Sequence, residues 1–286
     1  MTNFLMFLIN GIAVGCGFAL VGSGLVAVYR ITGVVNFAQG MFAVVAALTA
    51  TSLLGLGIWH GPAEILAITV AGCVGLLTGL VALGKPGTPA LTALLVTLAV
   101  GFLAYAVEVL IWGDHPRSMP GLEGRTVLLG VPLQRQYLLV IAITLIVFVV
   151  LSLLFSRTYT GKALTACADN PYAARVIGIN VRRMGFLAFA LGGTLGGVAG
   201  VLIAPLRPIS FDSDIALIVG GFAAAIFGGL TRPSLALLGG VLLGITEVMI
   251  RAYGNASYAT LGSLVFLITI MIWQAARRPT MHKEAA

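Results

Sequence analysis

Charge is scarce in this sequence. Only 9% of its 286 residues are charged, against about 25% in an ordinary soluble domain, while 59% are hydrophobic and the mean hydropathy is +1.09. So few polar groups cannot cover a globular surface in water, so the surrounding medium must be lipid. Lipid donates and accepts nothing, which leaves only helices or a closed barrel to pair every backbone N–H and C=O. The apolar runs are continuous rather than alternating, and that excludes the barrel. The expected fold is all-α, a polytopic transmembrane helical bundle forming a single domain over residues 1–286.

Chemical groups are equally sparse. The three cysteines, Cys16, Cys73 and Cys167, form no CxxC pair, so neither a disulfide framework nor a metal site is indicated. Ala13-Val14-Gly15-Cys16 has the outline of a lipoprotein cleavage box, but the first basic residue is Arg30 and the charged start of a signal peptide is missing. This stretch reads as part of the first span. The histidines His60, His115 and His282 all lie outside the apolar runs, and no span offers a nucleophile with a base. Gly79-x4-Gly84-Lys85 imitates a phosphate-binding loop, but Pro86 stands where a magnesium-binding hydroxyl is needed. No enzyme, no cofactor and no ATPase site of the chain's own is expected.

What is abundant is apolar length. Windows of about 20 apolar residues cross a bilayer core, and nine are read here: 4–28, 35–57, 62–83, 90–112, 137–155, 184–206, 215–230, 235–251 and 257–274, with eight to ten allowed. Lys and Arg set the orientation. The 156–183 loop carries Arg157, Lys162, Arg175, Arg182 and Arg183 against Asp169 alone, and the tail carries Arg277, Arg278 and Lys283. Four spans separate the two, so both can be cytoplasmic, with the N-terminus outside. That assignment places 11 of the 16 Lys and Arg inside and seven of the nine acids outside. The net +7 then reports membrane orientation, not nucleic-acid binding.

Acids within spans have local explanations. Glu64 follows Pro62 at a helix start, Glu108 lies one turn before Trp112 at an interface, and Glu247 can pair with Arg251 four residues on. The 37 glycines indicate close helix packing, with Gly192, Gly196 and Gly200 at four-residue spacing, as are Gly240 and Gly244. A weak internal echo is present. Phe18-Ala19-Leu20-x-Gly22 recurs as Phe189-Ala190-Leu191-x-Gly193, each followed by a polar break, at Asn36-Phe37-Ala38-Gln39-Gly40 and at Ser210-Phe211-Asp212-Ser213-Asp214. The copies are five spans apart, so they run in opposite directions, as in inverted-repeat transporters. Asn36, Phe37, Gln39 and Gly40 are expected to border the solute path, with helix-to-helix hydrogen bonding as the competing role.

Within the basic loop, Asp169 or Asn170 can cap a helix begun by Pro171 and ended by Gly178. The product is a two-turn helix, Pro171 to Ile177, whose Ala173 and Ala174 allow another protein to approach closely. Ala173-Ala174-x3-Gly178 resembles the EAA-type loop of ABC importer permeases, with Tyr172 where the family has glutamate. The wider chain, over about residues 10–275, resembles the LivH-type permease of branched-chain amino acid ABC transporters. The resemblance is carried by Val34–Gly40, by Ala173–Asn180, and by Phe227-Gly228-Gly229-Leu230 leading to Leu238-Gly239-Gly240. Gln39 replaces the usual histidine, and Thr231-Arg232-Pro233-Ser234 is an unusual link.

The resemblance implies an inner-membrane permease subunit of a binding-protein-dependent importer for branched-chain or related amino acids. Its partners would be a second homologous permease, two cytoplasmic ATPase subunits and an external solute-binding protein. The cytoplasmic coupling loop is 156–183, and Tyr172, Ala173, Ala174, Arg175 and Gly178 would meet the ATPase. Related permeases carry urea or amides. A secondary transporter driven by an ion gradient is the rival class, but it needs ionisable residues near the midplane, and these are few.

Overall fold

The computed structural model describes residues 2–85, 87–128, 131–255 and 258–277. Pro86, Arg278, His282 and Lys283, named above, lie outside them. Eleven helices and one small hairpin occur among the described residues. The long helices are α1 (Thr2–Thr32), α2 (Gln39–Gly55), α3 (His60–Ala82), α4 (Ala90–Trp112), α5 (Arg135–Arg157), α8 (Val181–Ile203), α9 (Ser213–Phe227), α10 (Pro233–Tyr253) and α11 (Tyr258–Arg277). Each overlaps one of the nine expected windows. Six of them (α1, α3, α4, α5, α8 and α10) are long and apolar enough to cross a membrane, and α2, α9 and part of α11 are shorter apolar helices.

Three elements were not expected. The strands β1 (Arg125–Leu128) and β2 (Val131–Gln134) pair antiparallel after α4. The loop after α5 contains α6 (Tyr159–Asp169) as well as α7 (Pro171–Val176). Helix α6 starts where Thr158 accepts a hydrogen bond from the Gly161 N–H at 2.9 Å. Its Gly161, Leu164 and Cys167 turn inward while Tyr159 is exposed, so it lies against the bundle without spanning.

The internal echo is a structural repeat. Helices α1 to α4 and α8 to α11 follow in the same order, and the ends of α1 and α8 are as far apart in sequence as Phe18 and Phe189. Neighbours correspond as well: α1 packs on α10 as α8 packs on α3, α1 on α9 as α8 on α2, and α2 on α3 as α9 on α10. Helices α1 and α8 also cross each other at the centre. The two halves therefore interlock, each central helix lying chiefly against the other half.

Small residues permit this approach. A Cβ on Gly240 would lie 2.6 Å from the Ala19 N and 2.8 Å from the Gly15 O, so α10 rests directly on the backbone of α1. On the other side, a Cβ on Gly75 would lie 2.5 Å from the Phe189 O and 2.9 Å from the Gly193 Cα. Lipid supplies no hydrophobic drive between helices, so this backbone-to-backbone dispersion is what holds the bundle. By contrast α4 and α5 are peripheral, with Leu91, Phe102, Leu110, Ile146 and Val149 exposed to the lipid side.

Bonds between chain ends group them into two faces. On one, Arg30 meets Asp169 at 3.5 Å and Arg182 Nε donates to the Leu83 O at 3.2 Å. On the other, Arg117 and Ile209 exchange backbone hydrogen bonds of 2.8 and 2.9 Å. The basic loop therefore shares a face with the ends of α1 and α3, opposite the hairpin.

Candidate functional site

Two irregular segments interrupt the bundle, 33–38 between α1 and α2, and 204–212 between α8 and α9. Helix α4 gives their depth. Phe37 N–H donates to Thr97 Oγ1 at 3.2 Å, and Thr97 stands about 10 Å along α4 at 1.5 Å per residue. Phe211 packs edge-on against Tyr105 with centroids 4.7 Å apart, about 22 Å along the same helix. Both breaks thus enter the bundle from opposite faces. Irregular backbone at that depth is tolerated only against protein or a water-filled cavity.

The first break is tied down internally. Asn36 and Gln39 are fully buried. Asn36 Oδ1 accepts from the Ala38 N–H at 3.1 Å, Asn36 Nδ2 donates to Gln39 Oε1 at 3.2 Å, and Gln39 Nε2 donates to the Gly192 O at 2.8 Å. Gly192 and Gly196 leave the room that the Gln39 amide occupies between α1 and α8. Gly40 lies against the backbone of Asp214 and the Ile218 side chain, where α2 meets α9. Of the four residues expected on the path, Phe37 alone is exposed, and its ring rests on Phe222 with centroids 5.4 Å apart. Asn36 and Gln39 make hydrogen bonds of the kind named as the competing role, and Gly40 is packed against α9 beside them.

Beside the second break, Glu108, expected one turn before Trp112 at an interface, lies on the inward side of α4. It is 1% exposed, and Glu108 Oε1 and Asp214 Oδ1 are both buried without a hydrogen-bond partner among the described residues. Its reason is position on the helix: Glu108 is one turn from Tyr105, on the face of α4 that packs inward. A buried oxygen left unpaired costs about 1–3 kcal/mol, and such groups inside a span mark functional positions. Sequence reasoning missed its burial, because nearness to Trp112 does not say which side of α4 faces inward. The expected pair Glu247–Arg251 is present, and His60 Nδ1 lies 3.2 Å from Glu64 Oε1.

On the loop-bearing face, α7 forms as anticipated, one residue shorter. Asn170 is the cap, its Oδ1 accepting from the Tyr172 and Ala173 N–H groups at 3.0 Å each, and Pro171 occupies the first turn. Gly178 ends it at φ +86°, a left-handed conformation that costs glycine nothing. The faces differ from expectation. Ala174 is buried, in one packed cluster with Ile31 of α1, Leu164 and Cys167 of α6, and Ala188 of α8, so it fastens the helix inward. Ala173 and Arg175 are exposed, and the outward ridge is apolar: Tyr172 at 75%, Val176 and Ile177 at 72% each.

Residues 7–273 match the family described as the permease component of branched-chain amino acid transport systems. The chain is 28% identical to the high-affinity branched-chain amino acid transport system permease protein BraD of Pseudomonas aeruginosa, over 97% of this chain and 95% of that one. It is 30% identical to the probable branched-chain amino acid transport permease protein LivH of Methanocaldococcus jannaschii, over 86% and 81%. Among solved structures, PsaBC of Streptococcus pneumoniae in complex with a Fab superposes with a TM-score of 0.51 over 93% of this chain and 91% of that one. At 12% identity that likeness speaks for the fold alone.

Proposed function

Since the chain belongs to the permease-component family of branched-chain amino acid transport systems, we propose that it is the membrane-spanning subunit of an ATP-driven importer for branched-chain amino acids. Its partners in this reading are two ATPase subunits, a second permease and an external solute-binding protein. The face carrying α6 and α7 is cytoplasmic, and the bilayer is the inner membrane. The excess of Lys and Arg on that face supports the orientation.

The observation that carries the reading is the construction of α7. It is capped at both ends, anchored inward through Ala174, and shows its apolar ridge to the outside. An exposed cluster of Tyr172, Val176 and Ile177 has no use on a free cytoplasmic surface but suits a shallow groove on an ATPase. Ala174 belongs to one packed cluster with Ile31 near the end of α1, Leu164 and Cys167 in α6, and Ala188 in α8. The first break begins directly after α1, so this cluster joins α7 to the helix that leads into the segment presenting Phe37. ATP binding would move α7, and α7 would shift the α1 end and alter access past Phe37. The permease itself makes and breaks no covalent bond.

The test is Val176→Asp with Ile177→Asp, scored by co-purification with the ATPases and by ATP-dependent uptake in proteoliposomes containing the binding protein. Burying each side chain contributes about 1.5–3 kcal/mol, so association should weaken by at least about tenfold per residue. Membrane insertion should be unaffected. Wild-type association would remove α7 from the interface, and uptake driven by an ion gradient without ATPases would overturn the importer reading.

A further inference from the structure

A second recess lies beside α7, on the same face and distinct from its apolar ridge. The cavity holds about 1030 Å³ and is bounded by the end of α1, the α3–α4 turn, α6, α7 and the start of α8. Four cationic side chains from four different segments converge on it: Arg30, Lys85, Arg175 and Arg182. Among the described residues, no carboxylate lines it. A preference for basic residues on the cytoplasmic face accounts for their side of the membrane, but it does not account for their meeting around one concavity.

The walls are fastened by the protein's own bonds. Arg182 donates to the Leu83 O and the Gly84 O, holding the α3–α4 turn against α8. Arg30 pairs with Asp169 at 3.5 Å, holding α1 against α6. The other two cationic side chains, of Lys85 and Arg175, make no hydrogen bond or ion pair among the described residues, and both residues are exposed and line the recess. Arg175 and Cys167 both line the recess; burial pushes the Cys167 thiol up, and the Arg175 guanidinium opposes that shift. Two cations therefore shape the site and two remain available to a ligand. An arginine fork with a flexible ammonium suits a tetrahedral oxyanion, which accepts several charge-assisted hydrogen bonds at once.

We propose that this cavity binds a phosphate-class anion, supplied by the headgroup of an anionic phospholipid or by a free phosphate compound. The recess favours a compact anion over an acidic protein segment, because its cations line walls and none stands on an outward ridge. Occupancy would tie α7 to the α3–α4 turn and to α8, and so set how freely α7 can move. The site does not depend on the transport reading, since it is built from this chain alone.

The experiment uses the full-length permease. Thermal unfolding is followed in neutral detergent against rising inorganic phosphate, and lipid retention is measured by native mass spectrometry from phosphatidylcholine nanodiscs doped with phosphatidylglycerol. Lys85→Gln with Arg175→Gln should weaken half-saturation by about tenfold or more, while Lys85→Arg with Arg175→Lys restores it. Arg157→Gln, an exposed charge on the same face outside the cavity, should leave it unchanged. Protection by phosphate identifies a soluble source, and selective retention of phosphatidylglycerol identifies the lipid. Failure of both to bind, or equal weakening by Arg157→Gln, overturns the site. So does loss of ATPase association in the double variant without any anion binding, which would assign these cations to the partner protein.

Discussion

The crossing of α1 and α10 sets a quantitative expectation for Gly240→Ala. The added Cβ would sit 2.6 Å from the Ala19 N, 0.8 Å short of the 3.4 Å at which ordinary contact begins. Its other neighbours, the Ala19 Cα and the Gly15 O, both at 2.8 Å, are also backbone. No side chain can rotate away, so the helices must separate. A radial gap of 0.5–1 Å forfeits about a quarter to a half of each dispersion contact, and the neighbouring approaches at Gly11 and Gly244 would lose theirs with it. Overpacking of this kind costs about 1–3 kcal/mol. The control is Gly61→Ala in the first turn of α3, where nothing lies within 4 Å of the new Cβ. There the substitution should be neutral or stabilise by about 0.5–1 kcal/mol through helix propensity. Thermal unfolding in a mild detergent measures both. A Gly240→Ala protein as stable as Gly61→Ala would refute direct backbone contact as the source of stability.

Gln39→Leu removes partners from Asn36 Nδ2 and the Gly192 O together, so unfolding stability should fall by about 1–3 kcal/mol along with uptake; lost uptake at unchanged stability would place Gln39 on the path instead of in the joint. Phe37→Ala should change uptake with little change in unfolding, since the ring is already exposed, and an equal loss of both would deny it a place beside the solute. Ala174→Trp should destabilise the α6–α7 region by about 1–3 kcal/mol, visible as faster amide hydrogen exchange there. Exchange rates like the wild type would show that Ala174 is not packed as described. In a Cys73→Ser background, Glu123→Cys should label from outside intact cells and Thr160→Cys should not, and the reverse pattern would invert the orientation.

The apolar helices were legible because lipid demands long apolar runs: each of the nine windows overlaps a helix, and six of these helices are long and apolar enough to cross a membrane. The cap at Asn170 and the stop at Gly178 were legible because local backbone chemistry fixes them. Which face of α7 looks outward was not, because a six-residue helix has too few positions to show an apolar stripe. Ala174 and Ile177 could each have been the buried one until Ile31 and Ala188 were placed around it. The same limit applied to Glu108: proximity to Trp112 in sequence says how near the membrane edge a residue lies, not which side of α4 it occupies. Helix α6 was hidden by its polar composition, and the hairpin by Pro132 within a four-residue strand.

The interlocked repeat bears on what ATP must supply. If each half of the chain can adopt the arrangement now held by the other, the exchanged form has α1 on α10 and α8 on α3 once more, with the membrane faces reversed. Such an exchange would keep the chief helix contacts and trade the surroundings of the two breaks, 33–38 and 204–212. What the nucleotide cycle must then supply is the difference between those surroundings, because a bias of a few kcal/mol is enough to exchange a minor state for a dominant one.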